Sequence, residues 1–190
     1  MPRGEAARRR PGHEDATIPD APTSLVVTSP IGPLGLGSRD GEALTAIEFL
    51  EAGRSGSDPG WRGSGARPAV LEHVAEALAA YFAGALRDFD LPLAPRGTAF
   101  QHRVWAALQG IPWGETVSYG VLAKRLDLPM SAARAVGSAN GANPIPVVIP
   151  CHRVIGADGS LTGYAGGLAR KGTLLRIEGL AHELDQLPLF

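Results

Sequence analysis

The chain's one cysteine, Cys151, ends a proline-rich apolar segment and is followed directly by His152 and Arg153. A thiolate is a strong nucleophile, and a neighbouring histidine or arginine lowers the pKa of a thiol. These residue types predict a nucleophilic cysteine, against the alternative of a buried cysteine that only packs. Adjacent side chains on a regular strand point to opposite faces. We therefore expect a backbone turn, or a bridging water, where Cys151 and His152 cooperate.

Glu178 is a second candidate for chemistry. It lies at the end of a predicted final helix that begins near Leu168, where the helix dipole disfavours a carboxylate. A carboxylate at that position needs a specific partner, and an imidazole is the natural one. The glycine-rich loop over residues 161–167 precedes this helix. Its glycines do not match a phosphate-binding pattern, and they favour a loop whose backbone a flat ligand can approach.

Two short helices joined by a tight turn are predicted upstream of the cysteine. Ser118 caps the first helix, residues 127–129 (Asp-Leu-Pro) end it, and Ser131 caps the second helix over 132–139. This helix-turn-helix pattern indicates either DNA binding or a packed helical hairpin. The second helix offers Ala, Gly and Ser, with Arg134 as its one long side chain. Such a surface favours contact with phosphates and the minor groove over base readout.

The N-terminal half predicts a small antiparallel meander and one helix. Short β-rich stretches lie between Ser24 and Leu50, and the turn signals Pro-Ile-Gly-Pro at 30–33 and Arg-Asp-Gly at 39–41 separate them. A Gly-, Ser- and Arg-rich loop follows over residues 52–68. A helix then runs from Pro68 to about Gly84, and its predicted buried face comprises Val70, Leu71, Val74, Leu78, Tyr81 and Phe82. Thr98 caps a further helix.

Composition and charge limit the class of protein. Hydrophobic residues are 44% and charged residues 19% of 190, as in folded globular proteins. The net charge of −1 divides unevenly: 9 Lys+Arg face 13 Asp+Glu over 1–95, and 9 face 6 over 96–190. A lone cysteine excludes an intrachain disulfide and a multi-cysteine zinc site. No apolar run approaches the roughly 18 residues of a membrane span.

We expect a disordered tail and two domains from these features. The predicted division of the chain is a tail over 1–20, an N-terminal domain over 21–93, a second domain over 96–180 and a C-terminal tail over 181–190.

Taken together, the motifs resemble those of the O6-alkylguanine-DNA alkyltransferase family, the methylated-DNA–protein-cysteine methyltransferases. The similarity is close over about residues 96–180 and holds in outline over 24–90. The matching segments, in order, are Thr-Val-Ser-Tyr-Gly around Tyr119, Ala-Ala-Arg-Ala-Val-Gly at 132–137, Asn143-Pro144, Ile-Pro-Cys-His-Arg-Val at 149–154, Gly-Tyr-Ala-Gly-Gly at 163–167 and Glu178-Gly179.

The resemblance implies an α/β (α+β) fold of two domains. The first is a small N-terminal antiparallel sheet with a helix. The second is mostly helical and carries a winged-helix-like helix-turn-helix for DNA. The implied activity is direct reversal of DNA damage: O6-alkylguanine, or O4-alkylthymine, is flipped out of the duplex. Its alkyl group is then transferred irreversibly to Cys151, once per molecule.

Site roles follow from the resemblance residue by residue. It implies that Cys151 attacks the alkyl carbon, that His152 takes the thiol proton through a water and that Glu178 orients His152. Asn143 holds the active-site turn together. Tyr119 helps to rotate the nucleotide and donates a proton or hydrogen bond to the leaving oxygen.

The resemblance also implies the DNA contacts and the lesion pocket. Arg134 fills the gap that the flipped base leaves in the stack. The other implied DNA contacts are Tyr119, Ala132, Ala133 and Gly137. The implied pocket residues are Pro146, Val154, Tyr164 and Ala165, with the backbone near Cys151 and Val154 reading the guanine edge.

The implied partner is double-stranded DNA bearing alkylated bases, bound in the minor groove with little sequence preference. The resemblance implies no cofactor, no metal, no membrane association, a monomer and a cytoplasmic, nucleoid-associated location. Two other hypotheses stay open from the residues themselves. One is a lesion-binding DNA module without transfer chemistry. The other is a cysteine-based redox sensor or hydrolase that does not bind DNA.

Overall fold

The computed structural model describes residues 23–50 and 68–180. The predicted tails and nearly all of the predicted loop 52–68 lie outside these described residues.

Residues 23–50 form the predicted meander of antiparallel strands. The strands are β1 (Thr23–Val27), β2 (Leu34–Ser38) and β3 (Leu44–Phe49), and β2 lies in the middle. Every residue of β2 is buried, because the strand lies between β1 and β3 and the helix that follows packs on the sheet. The middle strand therefore belongs to the hydrophobic core.

Helix α1 (Ala69–Phe82) packs against the sheet along its predicted apolar face. Leu71, Val74, Leu78 and Tyr81 are buried on that face. The chain beyond α1 returns to the sheet edge. The backbone N–H of Leu44 donates to Pro92 at 2.9 Å, and that of Ala94 donates to Leu44 at 2.9 Å. The segment between the two halves is thus tied to the sheet.

The C-terminal half is mostly helical. Its elements are α2 (Ala99–Gln109), β4 (Val117–Ser118), α3 (Tyr119–Arg125), α4 (Ala133–Gly141), β5 (Val154–Ile155) and α5 (Leu168–Ile177). Thr98 caps α2 in a capping box with Gln101, and Ser118 caps α3, as predicted. Strands β4 and β5 pair in parallel, which places the residues after Cys151 beside the start of α3.

The prediction that Ser131 caps the second helix of the helix-turn-helix pattern is wrong. Residues Met130–Ala132 form a 3-10 turn, and α4 begins at Ala133 with no side-chain cap. The N–H of Ala132 donates to Pro129 at 2.9 Å. Such i→i+3 bonds occupy N–H groups that a capping side chain would otherwise satisfy. Helices α3 and α4 still pack together across a tight turn.

One hydrophobic core runs through both halves of the described chain, and it includes Leu34, Tyr81, Trp105 and Ile145. Polar contacts join the halves as well, since the N–H of Ile47 in β3 donates to Pro144 at 2.8 Å. The N-terminal sheet therefore supports the segment that leads to Cys151. Over the described residues, no helix combines the length and the apolar character that crossing a bilayer requires.

Candidate active site

The segment before Cys151 folds into a tight turn that Asn143 holds closed. The side-chain amide of Asn143 donates to the carbonyl of Ile149 at 2.8 Å and accepts from the N–H of Ile145 at 3.0 Å. Val147 inside this turn has a φ of 76°, a conformation that is strained for a β-branched residue. The amide of Asn143 thus stabilises a loop that the backbone itself disfavours.

Replacing Asn143 with alanine is expected to lower the free energy of unfolding by about 3 kcal/mol, because buried backbone groups of Ile145 and Ile149 lose their partners. Urea denaturation, with exposed Gln109→Ala as the matched control, measures this difference. Equal midpoints for the two variants would show that Asn143 does not hold the turn.

Cys151 lies at the start of a 3-10 turn, Cys151–Arg153, so the expected backbone turn is present. The thiol is buried, with the residue 5% exposed. Burial raises the pKa of Cys151 to about 11, and the lowering effects of Asn143 and Lys171 are smaller. The expectation of a thiol pKa lowered by its neighbours is therefore wrong. The resting thiol is protonated at neutral pH and needs a base to react.

His152, the base that the resemblance implies, is buried and held by Glu178. Its Nε2 lies 2.8 Å from Oε1 of Glu178, and both side chains are 0% exposed. Burial lowers the pKa of His152, against the hydrogen bond and the charge of Glu178, which raise it. When the imidazole is neutral, the tautomer with its proton on Nε2 donates to the carboxylate of Glu178. The tautomer follows from this hydrogen bond. Nδ1, which has no partner among the described residues, then carries the free lone pair.

Glu178 has more partners than the predicted imidazole. The guanidinium of Arg153 donates from Nε to Oε2 and from Nη2 to Oε1, each at 2.9 Å. Burial alone raises the pKa of Glu178, but the hydrogen bonds and charges of His152 and Arg153 bring it down to about 2. Arg153, which sequence reasoning placed beside the thiol, instead keeps Glu178 ionised.

Sequence reasoning missed two residues of this cluster. Tyr81, assigned to the apolar face of α1, donates its hydroxyl to Oε1 of Glu178 at 2.7 Å. Helical periodicity predicted that the side chain of Tyr81 is buried, but it could not predict the partner of the hydroxyl. Buried Lys171 donates to the carbonyls of Val154 and Thr162, each at 2.6 Å. Its rarity, as one of two lysines among 18 basic residues, is the sequence feature that could have drawn attention to Lys171. Burial lowers the pKa of Lys171 to about 8.

Tyr119 stands at the first turn of α3, facing the glycine-rich loop. Its hydroxyl lies 3.4 Å from the carbonyls of both Thr162 and Gly163. Burial raises the pKa of Tyr119, and Cys151 contributes to the same shift. Tyr119 therefore lies within electrostatic reach of the thiol, with its hydroxyl protonated.

The four predicted pocket residues have different environments. Tyr164 is partly buried, and its hydroxyl has no partner among the described residues. Burial raises the pKa of Tyr164 well above its usual range, with Cys151 adding to the shift. Pro146 and Val154 are buried, whereas Ala165 is exposed on the loop. The structure thus gathers Tyr164, Val154 and Lys171 around the loop beside Cys151.

The predicted DNA contacts lie on or next to α4. Arg134 is exposed, while Ala132, Ala133 and Gly137 are partly buried. A Cβ added at Gly137 would lie 3.6 Å from the ring of Tyr119, so the small residue belongs to the packing of α4 against α3. Within 23–50 and 68–180, no group of three or more His, Cys, Asp or Glu is arranged to hold a metal.

Comparison with family models defines the class. Residues 25–95 match the ribonuclease-like domain, and residues 99–180 the DNA binding domain, of 6-O-methylguanine DNA methyltransferase. With the fold and the Cys-His-Glu cluster, these matches define a cysteine-dependent, DNA-binding methyltransferase. The predicted two-domain α+β fold class is confirmed.

Individual relatives narrow the assignment. A methylated-DNA–protein-cysteine methyltransferase of Mycolicibacterium paratuberculosis is 52% identical over 164 residues, covering 86% of this chain and 96% of the relative. One from Methanosarcina acetivorans is 47% identical, covering 81% and 96%. The crystal structure of Mycobacterium tuberculosis OGT in complex with DNA has a TM-score of 0.71 at 48% identity, covering 83% and 93%. The chain belongs to the 6-O-methylguanine DNA methyltransferase family, as the resemblance predicted.

Proposed function

We propose that this protein is a methylated-DNA–protein-cysteine methyltransferase that moves an alkyl group from O6-alkylguanine, or O4-alkylthymine, in DNA to Cys151. The observation that carries the proposal is that His152, the residue directly after the chain's one cysteine, is buried and paired with Glu178. This pairing leaves Nδ1 of His152 without a partner among the described residues, in the residue that follows the thiol to be deprotonated. A lesion-binding module without transfer chemistry gives no role to the His152–Glu178 pair. A redox sensor or hydrolase that does not bind DNA gives no role to the DNA binding domain.

The reaction proceeds by displacement at the alkyl carbon. The Cys151 proton passes to Nδ1 of His152 through a bridging water, and the anion of Glu178 stabilises the resulting imidazolium. The thiolate attacks the alkyl carbon, the bond from that carbon to O6 breaks, and its electron pair goes to the base. Tyr119 donates a proton to the base and recovers one from His152, so guanine leaves neutral. The product is a stable thioether.

A thioether at Cys151 ends the life of the acceptor. A thioether does not undergo the thiol exchange that reopens a disulfide, and nothing in the proposed reaction cleaves its C–S bond. The chain also has no second cysteine to accept the alkyl group. Each molecule therefore accepts one alkyl group.

DNA reaches this site through the face that carries α4. A flipped base is required, because the reacting atoms are inaccessible inside a duplex. We propose that Arg134 occupies the gap in the stack while Ala132, Ala133 and Gly137 let α4 approach the minor groove. The excess of basic over acidic residues in 96–190 supports weak binding to DNA with little sequence preference. We further propose that the domains span 21–93 and 96–180 and that the protein acts as a cytoplasmic, nucleoid-associated monomer.

Replacing Arg134 with alanine is expected to slow methyl transfer from a lesion duplex about tenfold, because unstacking a base costs a few kcal/mol and Arg134 offsets part of it. Transfer from free O6-methylguanine needs no flipping and is expected to stay unchanged. Single-turnover assays on both substrates measure the ratio, with exposed Arg176→Ala as the matched control. An equal loss on both substrates would contradict the role in flipping.

The function is tested by incubating the protein with a duplex that carries one O6-methylguanine, then measuring binding and intact mass. A gain of one methyl mass supports the proposal. Tight binding to the lesion with no change in mass favours a lesion-binding module. Absence of both favours a cysteine protein that does not act on DNA.

A further inference from the structure

Tyr81 brings a hydroxyl from the N-terminal half into the cluster around Glu178. It lies in the last turn of α1 and is 0% exposed. Its hydroxyl donates to Oε1 of Glu178 at 2.7 Å and lies 3.4 Å from Nε2 of His152. Burial raises the pKa of Tyr81 far above its usual range, so the phenol stays a donor at every working pH.

The ring of Tyr81 is held too firmly for the hydroxyl to be incidental. Its centroid lies 5.3 Å from that of Phe82, 5.3 Å from that of Phe89 and 5.1 Å from that of Trp113. Trp113 belongs to the C-terminal half, so the ring also spans the contact between the halves. Aromatic packing therefore fixes where the hydroxyl points, and it points at a carboxylate oxygen.

The donors around Glu178 are arranged unequally. Oε1 accepts from His152, from Tyr81 and from Nη2 of Arg153. Oε2 accepts from Nε of Arg153 and, at 3.5 Å, from the N–H of Gly114. Each hydrogen bond to a carboxylate draws off part of its charge. Tyr81 thus acts on the same oxygen that faces the base of the reaction.

We propose that Tyr81 is a positioning residue for alkyl transfer, holding Oε1 of Glu178 against His152 and moderating the negative charge that the imidazole experiences. This inference rests on the proposed function, since it gives Tyr81 a part in the reaction at Cys151. It also gives the N-terminal half a part in the reaction, exerted through Glu178, beyond supporting the fold.

The effect of removing the hydroxyl has a definite sign. Besides the adjacent thiol of Cys151, the charged and titratable groups that act on His152 are Glu178, Arg153, Lys171 and Tyr81. Without the hydroxyl, Oε1 presents more negative charge to the ring, which stabilises the imidazolium and raises the pKa of His152. The base must be neutral to take the thiol proton. As pH falls, the imidazole of His152 in the variant therefore becomes protonated at a higher pH than in the unaltered protein.

The test is the pH profile of single-turnover methyl transfer for Tyr81→Phe. The acid limb is expected to move up by about one pH unit, which lowers the rate about tenfold on the acid side and leaves the plateau at higher pH nearly unchanged. The matched control is Phe82→Leu, which disturbs the ring packing and keeps the hydroxyl. It is expected to lower stability without moving the limb. A merely structural role for Tyr81 would lower stability in both variants and shift neither limb.

A second variant keeps the experiment decisive if Tyr81→Phe does not fold. Site-specific 3-fluorotyrosine at position 81 preserves the shape and makes the phenol a stronger donor, so the acid limb is expected to move to lower pH. An unchanged limb in a folded variant overturns the role of Tyr81 while the unaltered protein still transfers methyl. If the unaltered protein transfers no methyl, the proposed function itself has failed.

Discussion

Replacing Cys151 with alanine is expected to abolish methyl uptake while binding to a lesion duplex persists. The nucleophile is lost, and the chain holds no other cysteine to replace it. The exposed face of α4 that we assign to DNA is not altered by the change. Intact mass reports uptake, and fluorescence anisotropy with a labelled duplex reports binding.

Cys151→Ser is the matched control for the shape of the site. The hydroxyl nearly matches the thiol in size, but serine is a far weaker nucleophile without a base matched to its pKa. We expect no methyl uptake by this variant either. Methyl uptake by the alanine variant would show that another residue is the acceptor.

Glu178→Gln is expected to have the second-largest effect, on both stability and activity. Arg153 is 4% exposed, so neutralising Glu178 leaves a buried guanidinium without its charge partner. Breaking a buried ion pair in this way costs about 3–5 kcal/mol. The imidazolium of His152 also loses its counter-charge, and methyl transfer is expected to fall about 100-fold, within the range for general acid–base catalysis.

The pH dependence of stability provides an independent check on Glu178. Its pKa is depressed from 4.5 to about 2 in the folded protein. A depressed carboxyl pKa stabilises the fold above the unfolded value, and this contribution is lost as pH falls from 4.5 towards 2. The loss is expected to be smaller in Glu178→Gln than in the exposed control Glu76→Gln. Identical acid profiles for the two variants would contradict the ion pair.

Local sequence signals predicted most of the helices and strands. The apolar spacing of Leu71, Val74 and Leu78 placed α1, and the hydroxyls of Thr98 and Ser118 marked helix starts, because amphipathic periodicity and capping act within one turn. The same local signal led to the wrong prediction that Ser131 caps α4. Whether a serine caps depends on the backbone around it, and there the chain takes up a 3-10 turn.

The sequence motifs predicted the site residues, but they did not predict contacts with residues distant in the chain. Residue type, order and resemblance predicted the site residues Cys151, His152, Asn143 and Glu178, and these remain predictions. The raised pKa of the thiol was not predicted, since it arises from burial of Cys151 in the folded chain. The bond from Tyr81 to Glu178 joins residues 97 positions apart, and no local pattern encodes that contact.

The central claim is that Cys151 accepts one alkyl group and is then spent. The most direct test gives the protein a molar excess of O6-methylguanine duplex and follows methyl incorporation to completion by intact mass and peptide mapping. We predict one methyl per protein molecule, located on the peptide that contains Cys151, with no further repair afterwards. Continued repair beyond one lesion per protein, or a methyl on any other residue, would contradict the account.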